Sequence, residues 1–196
     1  MQKLVIASNN PGKLREFQFL LQPLGIEVLT QTQLGIEEAE EPHPTFIENA
    51  LAKARHVSRL SGLPALADDS GICVTALGGA PGVLSARYAG DSPKLDERNN
   101  EKLLQDMQGV TDRRAHYYCV LVLLHHADDP QPLIAEGEWH GEIAHEERGD
   151  GGFGYDPLFW LPELGKMSAE LSRDEKHAIS HRGKALKVLL EKLKVL

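Results

Sequence analysis

The sequence predicts a mixed α/β fold with a long-stranded central sheet and flanking helices. Short apolar runs typical of buried strands alternate with segments of helical periodicity, and two long β-rich runs lie in the second half of the chain. Of the 196 residues, 41% are hydrophobic and 26% are charged, a composition that supports a buried core. We therefore expect one domain that spans residues 1–196.

The beginning of the chain is predicted to contain two strands around one helix. A short buried strand over Lys3–Ala7 is followed by a polar turn and a helix over Lys13–Leu24. A second strand is expected over Glu27–Thr30. The acidic segment Glu37–Pro42 is expected to form a loop, because a helix cannot continue through its proline end. The helix presents one apolar face, made of Leu14, Phe17, Leu20, Leu21 and Leu24.

A second helix is predicted to begin at the capping box Thr45–Glu48. After it, Ala65–Ala67 indicates a strand that leads into the polar segment Asp68–Gly71, where a Ser-Gly turn is expected. Ile72–Leu77 is expected to continue in an extended conformation. The helix is predicted to bury a face composed of Ile47, Ala50, Leu51, Ala54 and Val57.

The second half is predicted to supply the long strands and two helices. A helix is expected over Asp96–Met107, a long central strand over His116–His125 and a paired strand over Leu133–Ala144. The glycine-rich segment Gly149–Pro157 follows. The C-terminal helix is capped by Ser172, and its buried stripe is predicted to contain Ala178, Ile179, Ala185, Leu186, Leu189, Leu190 and Leu193.

Charge and cysteine usage limit the partners and the compartment. The net charge of −8 argues against a nucleic-acid partner, because tracking a phosphate backbone needs a basic surface, but it does not exclude a small phosphate ligand. The sequence contains no run of about 18 apolar residues, so no transmembrane helix is expected. The N-terminal segment does not resemble a signal peptide. Cys73 and Cys119 are isolated in apolar runs, which favours buried thiols in a reducing cytoplasm.

The turn between the first strand and the first helix is a candidate phosphate site. A strand-to-helix turn exposes N–H groups at the positive end of the helix macrodipole. Lys13 adds a mobile cation, and the side chains of Ser8 and Asn10 add hydrogen-bonding groups. A Walker A loop is absent. The alternative is that the segment only turns the chain and starts the helix.

Four carboxylates are candidates for metal binding and proton transfer. Glu40 and Glu41 lie in the acidic loop, and Asp68 and Asp69 lie at the predicted end of a strand. Mg²⁺ takes one or two carboxylates together with water and substrate phosphates. One of the carboxylates could instead act as a general base. For the acidic loop, the alternative is a simple solvated surface.

Two later segments are candidates for binding a flat ligand. In Gly151–Pro157 the glycines allow a close approach of the backbone, and Phe153 offers a ring face, although a plain hairpin turn has the same composition. Lys176, His181 and Arg182 provide donors suited to carbonyl oxygens or phosphates. Gly183 in a helix costs about 1 kcal/mol relative to alanine, which indicates that a neighbour needs the space. The alternative for these donors is a solvated helix face.

Taken together, these segments resemble the inosine/xanthosine triphosphate pyrophosphatase family (dITP/XTP pyrophosphatases), enzymes that remove deaminated purine nucleotides. The resemblance runs in family order over essentially the whole chain. It is carried by Ser8–Lys13, Glu41 ahead of Thr45–Ala50, Ala67–Gly71, Gly79–Gly82 with Ser85–Tyr88, Gly152–Pro157 and Ser180–Gly183.

The resemblance implies a fold with two lobes around a substrate cleft, a homodimer, and Mg²⁺ as the cofactor. It implies that water attacks the α-phosphorus of ITP, dITP, XTP or dXTP and releases pyrophosphate. Asp69 would be the proton acceptor and a metal ligand, with Glu41 favoured over Glu40 as the second ligand. The phosphates would be held by Ser8, Asn9, Asn10, Pro11, Gly12 and Lys13, and Ser70 would contact the substrate. The base pocket would consist of Phe153, Gly154, Tyr155, Asp156, Lys176, His181 and Arg182.

The physical requirements of such a substrate agree with these roles. A triphosphate bound to an acidic protein needs local compensation from Mg²⁺, Lys13, Lys53 and helix N–H groups. A pocket of donors accepts the 6-carbonyl of hypoxanthine or xanthine and leaves the 6-amino group of adenine unpaired. Two other hypotheses are a nucleotide sensor without catalysis, which would not need the carboxylates, and a phosphotransferase, which should contain a kinase or Walker loop.

Overall fold

A computed structural model describes residues 1–90 and 96–194, apart from the side chains of residues 16 and 20. It confirms the mixed α/β fold. The strands are β1 Lys3–Ile6, β2 Glu27–Thr30, β3 Ala65–Val74, β4 Arg114–Leu124, β5 Leu133–Ile143, β6 Phe159–Leu161 and β7 Lys166–Met167. The helices are α1 Pro11–Leu21, α2 Phe46–Ser61, α3 Asp96–Asp106, α4 Arg173–Ile179 and α5 His181–Leu193.

The strands form one sheet in the order β2-β1-β3-β4-β5-β6-β7. β1 is parallel to both β2 and β3, whereas β6 is antiparallel to both β5 and β7. The two predicted long strands, β4 and β5, begin and end within two residues of their predicted bounds. Within the described residues, no helix has the length and apolar character needed to cross a membrane.

The chain divides into two compact units. Unit 1 contains residues 1–69, 120–135 and 186 onward, and unit 2 contains residues 70–119 and 136–185. Unit 1 buries all of β1 beyond Lys3, together with Phe17 and Leu21 of α1 and the small residues Ala50 and Ala54 of α2. Unit 2 has an aromatic core that contains Tyr117, Trp139, Tyr155 and Phe159.

The first helix differs from its prediction at both ends. It begins at Pro11 rather than Lys13, because the side chain of Asn10 caps it. The α-helix ends at Leu21 and continues as a 3₁₀ turn that contains Pro23, which cannot donate a backbone hydrogen bond. Leu24 is consequently exposed rather than buried, and the predicted face is shorter. The side chain of Leu20 lies outside the described part of the chain.

The predicted N-cap at Thr45 is confirmed, since its side chain accepts a hydrogen bond from the backbone N–H of Glu48, while the Glu48 carboxylate accepts one from the Thr45 hydroxyl (2.6 Å). The predicted core face of α2 is only partly correct. Ala50, Ala54 and Val57 are buried, but Ile47 in the first turn is exposed. The buried face of α2 therefore begins one turn later than the apolar pattern predicts.

The largest correction concerns β3. The sequence predicts that the strand ends at Asp68 and Asp69, ahead of a Ser-Gly turn, but β3 continues through this segment to Val74. Successive side chains of a strand point to opposite faces, and Asp68 and Asp69 each meet a different lysine. The extended stretch then stops early, because Thr75–Leu77 forms a 3₁₀ turn.

The C-terminal segment is two helices rather than one. Ser180 has an extended backbone (φ −68°, ψ 162°) and separates α4 from α5, although the Ser172 cap and its Glu175 partner are confirmed. The break changes the helical phase, so that Ala178 is exposed while Ala185, Leu186 and Leu189 are buried as predicted.

The need for space at Gly183 is confirmed, and it provides a test of the α4–α5 junction. An ideal Cβ at this position would overlap the carbonyl oxygen of His177. We expect Gly183→Ala to lower the free energy of unfolding by about 1–3 kcal/mol, the usual cost of overpacking. Chemical denaturation measures the change. Lys187→Ala, an exposed position of α5, is the control, and equal stability of the two variants would contradict this view of the junction.

Candidate functional site

The turn before α1 is organised by Asn10. Its Oδ1 accepts hydrogen bonds from the backbone N–H groups of Gly12 (2.9 Å) and Lys13 (3.2 Å), and its own N–H donates to Ser8 Oγ (3.2 Å). Pro11 has no N–H to offer. The prediction that this turn exposes free N–H groups is therefore wrong for Gly12 and Lys13, because the cap occupies both.

Asn9 connects this turn to the segment after β2. Its Oδ1 accepts hydrogen bonds from Gln31 Nε2 (3.0 Å) and Thr32 Oγ1 (2.6 Å). Sequence analysis missed Gln31 and Thr32, which lie more than twenty residues away in a segment without a recognisable motif. The two contacts fix the orientation of the Asn9 side chain beside the cap.

Lys13 reaches from α1 to the middle of β3. Its Nζ lies 2.6 Å from Asp68 Oδ2, and the side chain of Asp68 is only 1% exposed. The sequence predicts Lys13 as a mobile cation, but this ion pair fixes its position. A buried carboxylate needs such a partner, because the desolvation of an unpaired charge is expensive.

Lys53 of α2 joins two of the predicted carboxylates. Its Nζ lies 2.5 Å from Glu41 Oε1 and 3.5 Å from Asp69 Oδ1. Glu40 is exposed and forms no ion pair with the described residues, so the structure brings Glu41 rather than Glu40 to Lys53. We call Lys13, Glu41, Lys53, Asp68 and Asp69 the lysine–carboxylate cluster; all five belong to unit 1.

The loop that carries Glu41 is anchored by Asn49, which sequence analysis did not identify as a site residue. Asn49 Oδ1 accepts a hydrogen bond from the backbone N–H of His43 (3.0 Å), and its Nδ2 donates to the His43 carbonyl oxygen (3.1 Å). Asn49 lies one helical turn before Lys53, so the same helix holds both the loop and its carboxylate. The i, i+4 spacing of the two residues was the available signal.

The electrostatics of the cluster set Asp69 apart. Burial raises the pKa of Asp69 to about 6; Lys53 opposes this shift, and Glu41 and Asp68 add to it. Burial lowers the pKa of Lys53, but Asp69, Asp68 and Glu41 together raise it above its usual value. A carboxylate whose pKa approaches neutrality is suited to accept a proton.

The residues of the cluster fit a divalent cation. No group of three or more histidine, cysteine or acidic residues with metal-binding geometry occurs within residues 1–90 and 96–194. Two carboxylates, Glu41 and Asp69, nevertheless share one ammonium partner, and Mg²⁺ is commonly held by one or two protein carboxylates. Burial is the main cause of the raised pKa of Asp69, and the negative charges of Glu41 and Asp68 add a smaller contribution, which an added cation would offset.

The predicted base-pocket residues belong to unit 2, where Asp156 organises them. Its buried carboxylate accepts hydrogen bonds from the backbone N–H of Phe153 (2.8 Å), from Ser168 Oγ (2.8 Å) and, at short range, from Lys176 Nζ. Gly152 allows this arrangement, because a Cβ there would overlap Asp156. Asp156 therefore holds the loop that carries Phe153.

Phe153 presents an exposed aromatic ring. The side chain is 62% exposed, and Lys176 Nζ lies 4.7 Å from the ring centroid. Tyr155, by contrast, is buried, and its hydroxyl donates to the Ser85 carbonyl oxygen (2.8 Å). Of these predicted pocket residues, Phe153 offers an accessible surface and Tyr155 supports the loop from within.

His181 and Arg182 begin α5 and are both buried. The ring of His181 stacks on Tyr117, with centroids 4.8 Å apart and an interplanar angle of 11°. Arg182 Nη2 donates to Ser70 Oγ (3.3 Å), which brings two predicted substrate residues together. Sequence analysis treated Tyr117 only as part of a strand; the aromatic content of that strand was the available signal.

Buried carboxylates paired with lysines, on an α/β fold beside a capped helix start, are an arrangement suited to enzymes of phosphate chemistry. The chain belongs to the Ham1 family, whose model matches residues 4–192. This result confirms the family resemblance found in the sequence.

Individual relatives match over nearly their whole length. The chain is 65% identical to a dITP/XTP pyrophosphatase of Ralstonia nicotianae, covering 100% of this chain and 98% of that protein. It is 67% identical to a dITP/XTP pyrophosphatase of Nitrosomonas europaea, covering 98% and 95%. The structure of a HAM1 protein from Coxiella burnetii superposes with a TM-score of 0.97 at 47% identity, over the full length of both chains.

The contribution of the Lys13–Asp68 ion pair to stability can be tested by mutation. We expect Lys13→Ala to lower the free energy of unfolding by about 2–3 kcal/mol, somewhat below the cost typical of fully buried pairs because Lys13 is partly solvated. Adding Asp68→Asn should recover part of this loss in denaturant unfolding. The control is Lys3→Ala, which breaks an exposed pair with Glu27 and should cost little. Equal losses for the two lysines would contradict the assignment.

Proposed function

We propose that this chain hydrolyses non-standard purine nucleoside triphosphates, namely dITP, ITP, XTP and dXTP, to the monophosphate and pyrophosphate. Such an activity removes deaminated purines from the nucleotide pool. The lysine–carboxylate cluster is the observation that carries the proposal, because it combines a proton acceptor of raised pKa with two lysines. The names of the relatives from Ralstonia nicotianae and Nitrosomonas europaea support the substrate class.

The cations of unit 1 bind the triphosphate in this proposal. Lys13 and Lys53 provide positive charge on a chain whose net charge is −8, and each projects from a helix next to β3. Ser8, Asn9 and Asn10 add hydrogen-bonding groups at the start of α1. The ordered cap at Asn10 keeps this turn in one conformation, which lowers the entropic cost of binding a phosphate.

Glu41 and Asp69 would hold Mg²⁺, which offsets the charge of the phosphates and of the departing pyrophosphate. Asp69 accepts the proton of the attacking water, since burial keeps its pKa close to neutrality. Lys53 fixes the orientation of both carboxylates through its contacts with them. Attack at the α-phosphorus makes pyrophosphate the leaving group.

The residues of unit 2 recognise the base. Phe153 offers its exposed ring for stacking, and Lys176, His181 and Arg182 present donors to the 6-carbonyl of hypoxanthine or xanthine. The 6-amino group of adenine would leave such donors unpaired, a penalty that reaches roughly 10⁴-fold in specific sites. Ser70, the predicted substrate contact, accepts a hydrogen bond from Arg182 within unit 2.

We further propose that the protein acts as a homodimer in the cytoplasm and does not bind nucleic acid. The family resemblance supports the homodimer. Cys73 and Cys119 are not joined by a disulfide, which supports a reducing compartment. The net charge of −8 supports small nucleotides, rather than a nucleic-acid backbone, as ligands.

The position of attack and the role of Asp69 can be tested together. Hydrolysis of dITP in ¹⁸O-labelled water should place the label in the monophosphate and leave pyrophosphate unlabelled, as mass spectrometry can establish. Asp69→Asn should lower kcat at least about 10²-fold, because it removes the proton acceptor. The exposed Asp128→Asn is the control. Labelled pyrophosphate would refute the site of attack, and near-normal turnover of Asp69→Asn would refute its role.

The metal requirement can be tested with the adjacent glutamates. A chelator should abolish activity, and excess Mg²⁺ should restore it. Glu41→Gln should raise the Mg²⁺ concentration needed for half-maximal activity by about tenfold or more, whereas Glu40→Gln should leave it near the wild-type value. Activity that persists in chelator contradicts the metal requirement. Equal shifts for the two variants contradict the choice of Glu41.

A further inference from the structure

Both backbone polar groups of Gly154 are held by one face of α3. The N–H of Gly154 donates to Asp96 Oδ2 (2.7 Å), and its carbonyl oxygen accepts from Asn100 Nδ2 (3.1 Å). Asp96 and Asn100 are spaced i, i+4, so their side chains lie on the same side of the helix. The peptide groups on both sides of Gly154 are thereby fixed in orientation.

This attachment acts on the residue that presents the aromatic ring. Gly154 directly follows Phe153 and has a left-handed backbone (φ 61°), which favours glycine. Asp156 already binds the N–H of Phe153. The backbone of Phe153 is therefore held on one side by Asp156 and on the other by α3.

The environment of Asn100 indicates that a contribution to stability does not by itself account for an asparagine at this position. The residue is 3% exposed, and its Oδ1 is buried without accepting a hydrogen bond from any residue that the structure describes. An unsatisfied buried oxygen carries a free-energy cost that a leucine of similar size would not carry. Within the described part of the chain, the side chain of Asn100 forms its hydrogen bond by donating to the carbonyl oxygen of Gly154.

We propose that Asp96 and Asn100 are positioning residues, which fix Phe153 and Gly154 for the purine base by binding the backbone of Gly154. The inference rests on the proposed function, since this loop matters only for a substrate that carries a base. In this proposal the base contacts touch none of the reacting atoms and are equally strong in the substrate complex and the transition state, which is the case of uniform binding. Loss of the positioning residues consequently raises KM and leaves kcat nearly unchanged.

The exposed residue Asp96 provides the first test, because its replacement spares the core. Asp96→Ala removes the acceptor for the Gly154 N–H, and KM for dITP should rise about tenfold, the equivalent of one hydrogen bond to a charged group. Asp96→Asn keeps an acceptor oxygen and should restore most of the affinity. A purely structural role would instead lower the folded fraction, which reduces apparent kcat at unchanged KM.

The second test compares Asn100 with its neighbour Asn99. Asn99 is also buried, at 5% exposed, but its amide binds the backbone of Ala89 (2.8 Å) and Ala86 (3.4 Å) rather than Gly154. Asn100→Leu should raise KM about fivefold, the value of one neutral hydrogen bond, without lowering Tm. Asn99→Leu should lower Tm and leave KM unchanged.

Isothermal titration with two products separates the possible outcomes. Asp96→Ala should weaken the binding of deoxyinosine monophosphate by the same factor by which KM rises, and it should leave pyrophosphate binding unchanged.

If wild type hydrolyses dITP but both Asp96→Ala and Asn100→Leu keep the wild-type KM, this inference alone is overturned. If Asp96→Ala weakens pyrophosphate binding equally, the effect is not confined to the base, and the inference again fails. A wild-type chain that does not hydrolyse dITP overturns the proposed function and this inference with it.

Discussion

Two consecutive aspartates in the middle of a buried strand are the constraint on which unit 1 depends. Because the side chains of a strand alternate, Asp68 and Asp69 point to opposite faces, and each forms its ion pair with a different lysine. Lys13 of α1 meets Asp68, and Lys53 of α2 meets Asp69 and Glu41. The position of each helix relative to β3 is thus tied to one carboxylate.

Unit 2 also contains a buried carboxylate, which is stabilised by a different set of partners. The carboxylate of Asp156 is buried, and it is satisfied by a backbone N–H, a hydroxyl and Lys176. These bonds determine the path of the loop that ends in Phe153, and Gly152 provides the required space. In both units a buried acid therefore orders a segment that the sequence alone presents as a flexible turn.

The features that were predicted correctly depend on residues that are close together in the sequence. The capping boxes at Thr45 and Ser172 are local patterns, and both helices begin where predicted. The residue types of the cluster were also recognised, and of the two adjacent glutamates it is Glu41 that contacts Lys53. The roles of these residues in binding and catalysis stay predictions.

The errors have a common cause in distant partners. The continuation of β3 through Asp68 and Asp69 requires lysines that lie far away in sequence, so the local pattern indicated a turn. The break at Ser180 and the stacking of His181 on Tyr117 likewise depend on contacts between separate elements. Gln31 lies in an irregular segment and Asn100 lies in a polar helix. Neither was predicted, because a single amide side chain produces no periodic pattern in the sequence.

The charges of the lysine–carboxylate cluster would explain why the proposed metal and substrate bind together. Two lysines face three carboxylates, so the cluster is net negative when all five groups are ionised. That excess contributes to the raised pKa of Asp69, to which both Glu41 and Asp68 add. A triphosphate alone would meet unfavourable charge here, whereas a divalent cation reverses the sign of the cluster. The same acidic excess that opposes binding of the bare anion favours the cation.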